Sequence, residues 1–329
     1  MKTALFAVPP GTYDIVYAGE PRQLIDERVE VIGGPMEPAD LPAFSRLSEA
    51  EILFLGWGSP RLEGALLDRL TSLRAVFYSA GSIKPVVSEA FWDRDIPICS
   101  AVAANAIPVA EFAHAAIMLS LKRVWRYERL AMRNRRWPAY LDAPGAYRST
   151  VGLVGLGSIG RLVVEKLRAS ELSVLAYDPF VAPQQAEAMG VRLSGLEDLF
   201  DTADVVSLHA PLLPATHGMI TGALIQRMKP NATLLNTSRG KLIREMEMIE
   251  VLRRRDDLTA VLDVVSPEPP SPDSPLFDLP NVVMTPHIAG SMGAECKRMG
   301  AYMAEELARF LDGLPLKYRI TREQNQRMA

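Results

Sequence analysis

Short apolar runs alternate with amphipathic stretches along the chain, the order expected of parallel sheets wrapped by helices. Residues 3–8, 52–56, 75–78, 151–155, 174–177, 205–208, 233–236 and 260–264 read as strands. Apolar residues at helical spacing cover 107–122, with Pro108 suited to the first turn, then 162–167 after a glycine loop, and later 293–311. The polar stretch 321–329 predicts loose packing, and the proline- and serine-rich 267–275 predicts a rigid surface loop.

A length of 329 residues with 48% hydrophobic content supplies two cores of ordinary size. The formal net charge of -3 gives no pull towards nucleic acid or an anionic membrane, and the basic cluster Arg133-Asn-Arg-Arg136 reads as a solvated face. Residues 4–10 are too short an apolar run for a signal peptide and read as a first strand. The longest apolar stretch, 101–121, is broken by Asn105, Pro108, Glu111 and His114, which favours a protein core over a membrane span. The cytoplasm is the expected location. Cys99 and Cys296 are too few for a disulfide framework, and neither they nor the four histidines have metal-ligand spacing, so no metal is expected.

Residues 151–160 read Val-Gly-Leu-Val-Gly-Leu-Gly-Ser-Ile-Gly. A glycine triplet alone is a weak signal. Here it follows an apolar strand, opens a helix and is answered by Asp178 at the end of the next strand, the context of a dinucleotide fingerprint. Gly155 permits the tight turn, Gly157 lets the backbone approach a pyrophosphate, and Gly160 allows close helix packing. The amides of Ser158 and Ile159 then face the phosphates from a helix N-terminus. Asp178 accepts from ribose hydroxyls and repels a 2′-phosphate, which favours NAD over NADP. A structural strand-turn-helix without cofactor is the competing reading. Since the fingerprint begins only at residue 155, about 100 residues of separate α/β structure precede the nucleotide domain.

Further on stand Asp204-Val-Val-Ser-Leu-His-Ala-Pro211, Met228-Lys-Pro230, Leu234-Leu-Asn-Thr-Ser-Arg-Gly240, Leu262-Asp-Val264 with Pro267-Glu-Pro269, and Asn281-Val-Val-Met-Thr-Pro-His-Ile-Ala-Gly-Ser291. In register from about residue 105 to 291, these motifs resemble the D-isomer-specific 2-hydroxyacid dehydrogenase family. The resemblance implies two Rossmann-like or flavodoxin-like domains, each a doubly wound parallel sheet, with a cleft between them. Residues 1–102 would begin the substrate domain, 103–290 form the NAD-binding domain, and 291–329 return to the first. Closure about hinges near Ala103 and Ser291 would exclude water from the cleft.

Residue chemistry supports the implied reaction, hydride exchange between NADH and a small 2-keto acid to give the D-2-hydroxy acid. Arg239 presents a permanently charged fork for a carboxylate or carbonyl oxygen and stabilises charge developing there. His287 exchanges a proton near neutral pH, as a general acid or base must, and Glu268 would hold its ring. By the same resemblance His209, Ala210 and Pro211 form an adenine wall, and Thr237 with Asp263 orients the nicotinamide carboxamide. A strand-end cap explains Asp263 equally well. His114 reads as core or hinge packing, and His217 as a helix start.

In the first domain, residues 78–85 stand where the family receives the substrate carboxylate on backbone amides, here those of Ala80 and Gly81. The usual Asp-Asn pair is missing and Lys84-Pro85 stand near its place. Lys84 is read as a solvated lysine of a drifted loop, or as a second anion contact. Asn105 either lines the cleft or bonds the helix entry. The resemblance also implies a homodimer through the cofactor domain, with 125–138, carrying Trp125 and Trp137, as the crossing arm. An NADH-sensing protein without turnover is the alternative on this scaffold. Formate or phosphite oxidation on the same scaffold is disfavoured, because the formate branch typically carries glutamine at the place of Glu268.

Overall fold

The computed structural model describes residues 1–139 and 141–328, which form two compact units, one of residues 1–105 with 291–328 and one of 106–290. The first is built on β1 (Thr3–Phe6), β2 (Glu30–Gly33), β3 (Ile52–Leu55), β4 (Ala75–Tyr78) and β5 (Ile98–Ser100). These strands are parallel in the order β5-β4-β3-β1-β2, and Arg319–Ile320 adds an antiparallel edge beside β5. Strands β3 and β4 are buried at every position, so successive residues feed opposite cores: Leu53, Leu55 and Val76 on one face, Phe54 and Phe77 on the other.

After β5 the chain continues into α1 (Val102–Leu121), followed by α2 (Val124–Asn134). Helix α1 is long and apolar enough to cross a bilayer by length and composition, and its Ala110, Ala113, Ile117 and Leu121 are buried in the second unit's core. It starts ahead of the expected 107, so Pro108 lies inside the helix rather than in its first turn. There Pro108 removes one intrahelical donor, a cost borne because Ala104 is already packed in the first unit's core and Pro108 itself is buried.

The second unit carries β6 (Thr150–Val154), β7 (Ser173–Tyr177), β8 (Val191–Leu193), β9 (Val205–Leu208), β10 (Thr233–Asn236), β11 (Thr259–Leu262) and β12 (Val282–Met284). All seven are parallel, in the order β12-β11-β10-β9-β6-β7-β8. The chain reverses its direction of travel at β6, a topological switch point where open α/β sheets bind ligands at the carboxyl ends of the strands.

Strands β2, β5, β8, β12 and Arg319–Ile320 escape the sequence pattern because they are short or lie on sheet edges, where half-exposure breaks the apolar run. The expected loose tail is instead a short helix, Arg322–Arg327, capped by Thr321. Arg322 pairs with Glu89 and Asp93, and the Met328 carbonyl accepts from Lys84. Ala329 lies outside the described residues.

Candidate active site

The residues singled out in the cofactor unit follow the carboxyl ends of consecutive strands. After β6 the chain turns at Gly155, whose φ of 104° is left-handed, into α3 (Ser158–Leu167). A Cβ on Gly155 would lie 2.7 Å from the Ala210 nitrogen, and one on Gly160 would collide with the Gly155 carbonyl, so both glycines are required by packing. A Cβ on Gly157 would meet nothing within 4 Å. That open space lies at the N-terminus of α3, which no side chain caps, so the first-turn amides near Ser158 and Ile159 stay available for an anion.

Asp178, just past β7, accepts the Leu156 amide at 2.8 Å through one carboxylate oxygen and the Phe180 amide at 2.9 Å through the other. It therefore braces the glycine turn while keeping acceptor capacity for hydroxyls. After β9 the His209 ring is turned inward, 8% exposed, with Nε2 at 2.9 Å from Ser207 Oγ. Burial lowers its pKa to about 4, so the ring is neutral at pH 7. Ala210 is buried and Pro211 half-buried beside it.

After β10 the turn carrying Arg239 is built by Asn236, which the sequence reading passed over as a site residue. Its buried amide accepts from Ser238 N at 3.0 Å and donates to the Arg239 carbonyl at 2.9 Å. Ser238 Oγ donates to the Ala210 carbonyl at 2.7 Å, joining this turn to the one after β9. An Asn-Thr-Ser ending a strand is the available signal, since short polar side chains close turns on their own backbone. Arg239 is half-buried, with Nη1 donating to the Ser238 carbonyl at 2.7 Å. Burial lowers its pKa and Glu268 raises it, and a guanidinium stays charged under either influence. Among the described residues, Thr237 Oγ1 is buried without a hydrogen-bond partner, a polar atom that a bound cofactor would satisfy.

Gly240 lies so close to the Val265 backbone that any Cβ would collide with the Val265 carbonyl. This contact seats the segment after β11 against the Arg239 turn. Glu268, further along that segment, meets His287 Nδ1 through Oε1. The imidazole is thereby held by a carboxylate at one nitrogen, and Nε2 is left for other work.

Asp263 anchors the loop that carries His287. Its Oδ1 accepts from Thr285 Oγ1 at 2.6 Å and from the Ile288 amide at 2.9 Å, while Oδ2 accepts from the Ala289 amide at 2.9 Å. The His287 backbone is left-handed at φ 54°, a conformation a non-glycine residue keeps only where its surroundings enforce it. Of the two readings of Asp263, these bonds are those of a cap, one acting across two strand ends.

Two pockets flank the Glu268 and His287 pair. One, of about 500 Å3, is lined by His287, Glu268 and Asp263 with Phe277 and Met284; the other, of about 430 Å3, by Arg239, Lys241, Leu212 and Glu268. Arg239, Glu268 and His287, distant in sequence, thus line one neighbourhood.

In the first unit, Ala80 is buried and Gly81 half-buried on the loop after β4. Lys84, half-buried rather than a freely solvated cation, donates to the Met328 carbonyl. Asn105 Oδ1 accepts the Ser291 amide at 2.8 Å, which ties the two chain crossings together within that unit. His114 is half-buried in α1, and His217 stands in a turn ahead of the helix Gly222–Arg227 rather than at its start, because Gly218 adopts a left-handed φ of 63° there. Cys99 and Cys296 are free and buried.

The family model for the D-isomer specific 2-hydroxyacid dehydrogenase, NAD binding domain, matches residues 115–289. A D-3-phosphoglycerate dehydrogenase of Archaeoglobus fulgidus is 31% identical over 258 residues, covering 78% of this chain and 49% of that protein. One of Mycobacterium leprae is 31% identical over 292 residues, covering 88% of this chain and 54% of that protein. The chain spans about half the length of these curated relatives. Among solved structures, a Thermus thermophilus protein superposes with a TM-score of 0.75 at 28% identity, over 97% of this chain and all of that one. The fold is also that of an NAD-complexed D-isomer specific 2-hydroxyacid dehydrogenase from Lactobacillus delbrueckii ssp. bulgaricus, with a TM-score of 0.79 at 22% identity over 98% of this chain and all of that one. With the fingerprint, the arginine turn and the carboxylate-held imidazole at successive strand ends of one sheet, the chain belongs to the D-isomer specific 2-hydroxyacid dehydrogenase family.

Proposed function

We propose that the protein reduces a small 2-keto acid to the D-2-hydroxy acid with NADH. The observation that carries this reading is the Glu268 and His287 contact on the wall that Glu268 shares with Arg239. The residues that would hold NAD are Gly157 with the amides at the α3 N-terminus for its phosphates, Asp178 for ribose hydroxyls and Thr237 for the nicotinamide end. Bound as NADH it supplies the hydride that adds to the carbonyl carbon of the acid.

Arg239 binds the acid's carboxylate or carbonyl oxygen and orients it. As the carbonyl oxygen gains electron density, the guanidinium stabilises it, and the imidazolium of His287 gives it a proton from Nε2. Glu268 fixes the ring at Nδ1 and balances its charge. In the oxidative direction His287 takes the proton back. The amides of Ala80 and Gly81 are the expected further carboxylate contacts, and glyoxylate, hydroxypyruvate and related short 2-keto acids are the expected substrates.

The working form is a homodimer in the cytoplasm. Helix α2 supports the first part: it is amphipathic yet has no buried residue, and Met132 with the nearby Trp137 and Leu141 stands exposed. Among the described residues, Arg126 Nη1 adds a buried nitrogen without a hydrogen-bond partner.

The test is NADH oxidation against a panel of 2-keto acids that includes a phosphorylated one, with NADPH, His287→Ala and Arg239→Ala in parallel. Turnover on one acid, abolished in His287→Ala and raised in KM in Arg239→Ala, is the expected result. Tight NADH binding with no turnover on any acid would overturn it.

A further inference from the structure

Residues 264–270 carry Glu268 yet belong to no helix or strand. Three of them are prolines without an amide hydrogen. Among the described residues, the one backbone amide of this segment that the chain satisfies is Ser266 N, which donates to Glu245 Oε2 at 3.1 Å. Glu245 is the first residue of α4 (Glu245–Arg254).

Two details separate this carboxylate from an ordinary acidic residue in a first helical turn. Its neighbour Glu247 accepts the Gly222 amide at 2.7 Å and pairs with Arg244. Glu245 is half-buried and, among the described residues, has no cation within ion-pair distance. Burial pushes its pKa up against the pull of the Ser266 amide. A carboxylate withdrawn from water without a cation costs stability, so its effect lies in the segment it orders.

We infer that Glu245 is a positioning residue for Glu268, holding the 264–270 segment from one side through Ser266 while Gly240 seats it from the other against Val265. Because Gly240 adjoins Arg239, the two contacts fix the carboxylate that holds His287 relative to the arginine. The consequence for turnover rests on the reductase reading above, whereas the ordering of the segment does not.

The test uses Glu245→Ala and Glu245→Gln in the full chain with NADH. The alanine variant lowers kcat about tenfold or more, since small misplacements of reacting groups are expensive. Keto-acid KM and NADH Kd stay within about twofold, as expected for a loss confined to the chemical step. Glutamine keeps an acceptor for the Ser266 amide and restores most of kcat. Hydrogen exchange of that amide rises in the alanine variant and not in the glutamine variant. Wild-type kcat with alanine, a fall in kcat matched by lost NADH affinity, or an unchanged Ser266 amide would each overturn the inference. If the wild-type protein turns over no 2-keto acid, the reductase reading fails by itself, and the Ser266 amide still decides whether Glu245 orders the segment.

Discussion

The His287 amide donates to the Asp263 carbonyl at 3.0 Å, and the Asp263 carboxylate takes the amides that follow, so one buried aspartate sets the loop that aims the imidazole. In Asp263→Asn one carboxylate oxygen becomes a donor and faces either the Ala289 amide or the Thr285 and Ile288 donors. A buried donor left unsatisfied costs about 1–3 kcal/mol. The expected result is a lower unfolding midpoint together with a loss of kcat, with NADH affinity affected least. Denaturant unfolding and steady-state kinetics on one preparation check this; an intact kcat would remove Asp263 from the positioning of His287.

Glu268→Gln keeps the shape of the side chain but removes the charge that balances the imidazolium. General acid catalysis contributes roughly 10²–10⁴-fold, so a fall in kcat within that range is expected, with NADH binding intact. Isothermal titration with NADH beside the rate assay separates the two effects. A variant that turns over at the wild-type rate would leave His287 without need of its carboxylate.

Two glycine substitutions should fail for opposite reasons. Gly240→Ala drives a methyl into the Val265 carbonyl and is expected to destabilise the unit by about 1–3 kcal/mol or more. Gly157→Ala meets open space, so its unfolding midpoint should match wild type while NADH affinity falls, because the methyl occupies the room meant for the pyrophosphate. A Gly157→Ala protein that binds NADH normally would show that the cofactor runs elsewhere.

Burial depresses the His209 pKa from 6.5 to about 4, so between these values the unfolded chain binds the proton that the folded chain refuses. Stability from this source is fully present above pH 6.5 and is lost as the pH falls towards 4, to a total of roughly 3 kcal/mol. Chemical denaturation at pH 7 and pH 4.5 measures the slope. His209→Gln should flatten it, and an unchanged slope would assign acid sensitivity to other groups.

If α2 carries the subunit contact, Met132→Asp should shift the protein to monomer in sedimentation velocity without loss of its helical circular dichroism. A dimer that survives this charge would put the interface on another face.

Much of the site was legible in the chain because its parts are local. The glycine fingerprint is a strand, a turn and a helix within one short stretch, so Gly155, Gly157, Gly160 and Asp178 stand out as candidates from spacing and local context together. The buried strands of parallel sheets likewise read as continuous apolar runs. The edge strands β2 and β8, half-exposed and mixed in composition, did not. Asn236, Gly240 and Glu245 were missed as site residues because each acts on a partner it meets through space or through a turn, and nothing in its own neighbourhood names that partner.

The sequence by itself determined two α/β sheets, the dinucleotide loop, and a cation, a carboxylate and an imidazole in a fixed order. Only the tertiary structure decided that Glu268 meets His287, that Asp263 caps the loop carrying His287, and that Lys84 donates to Met328. Periodicity and spacing report which face of an element is buried and how its neighbours turn. Hydrogen bonds between separate strand ends depend on strand order and register, which those local signals do not carry.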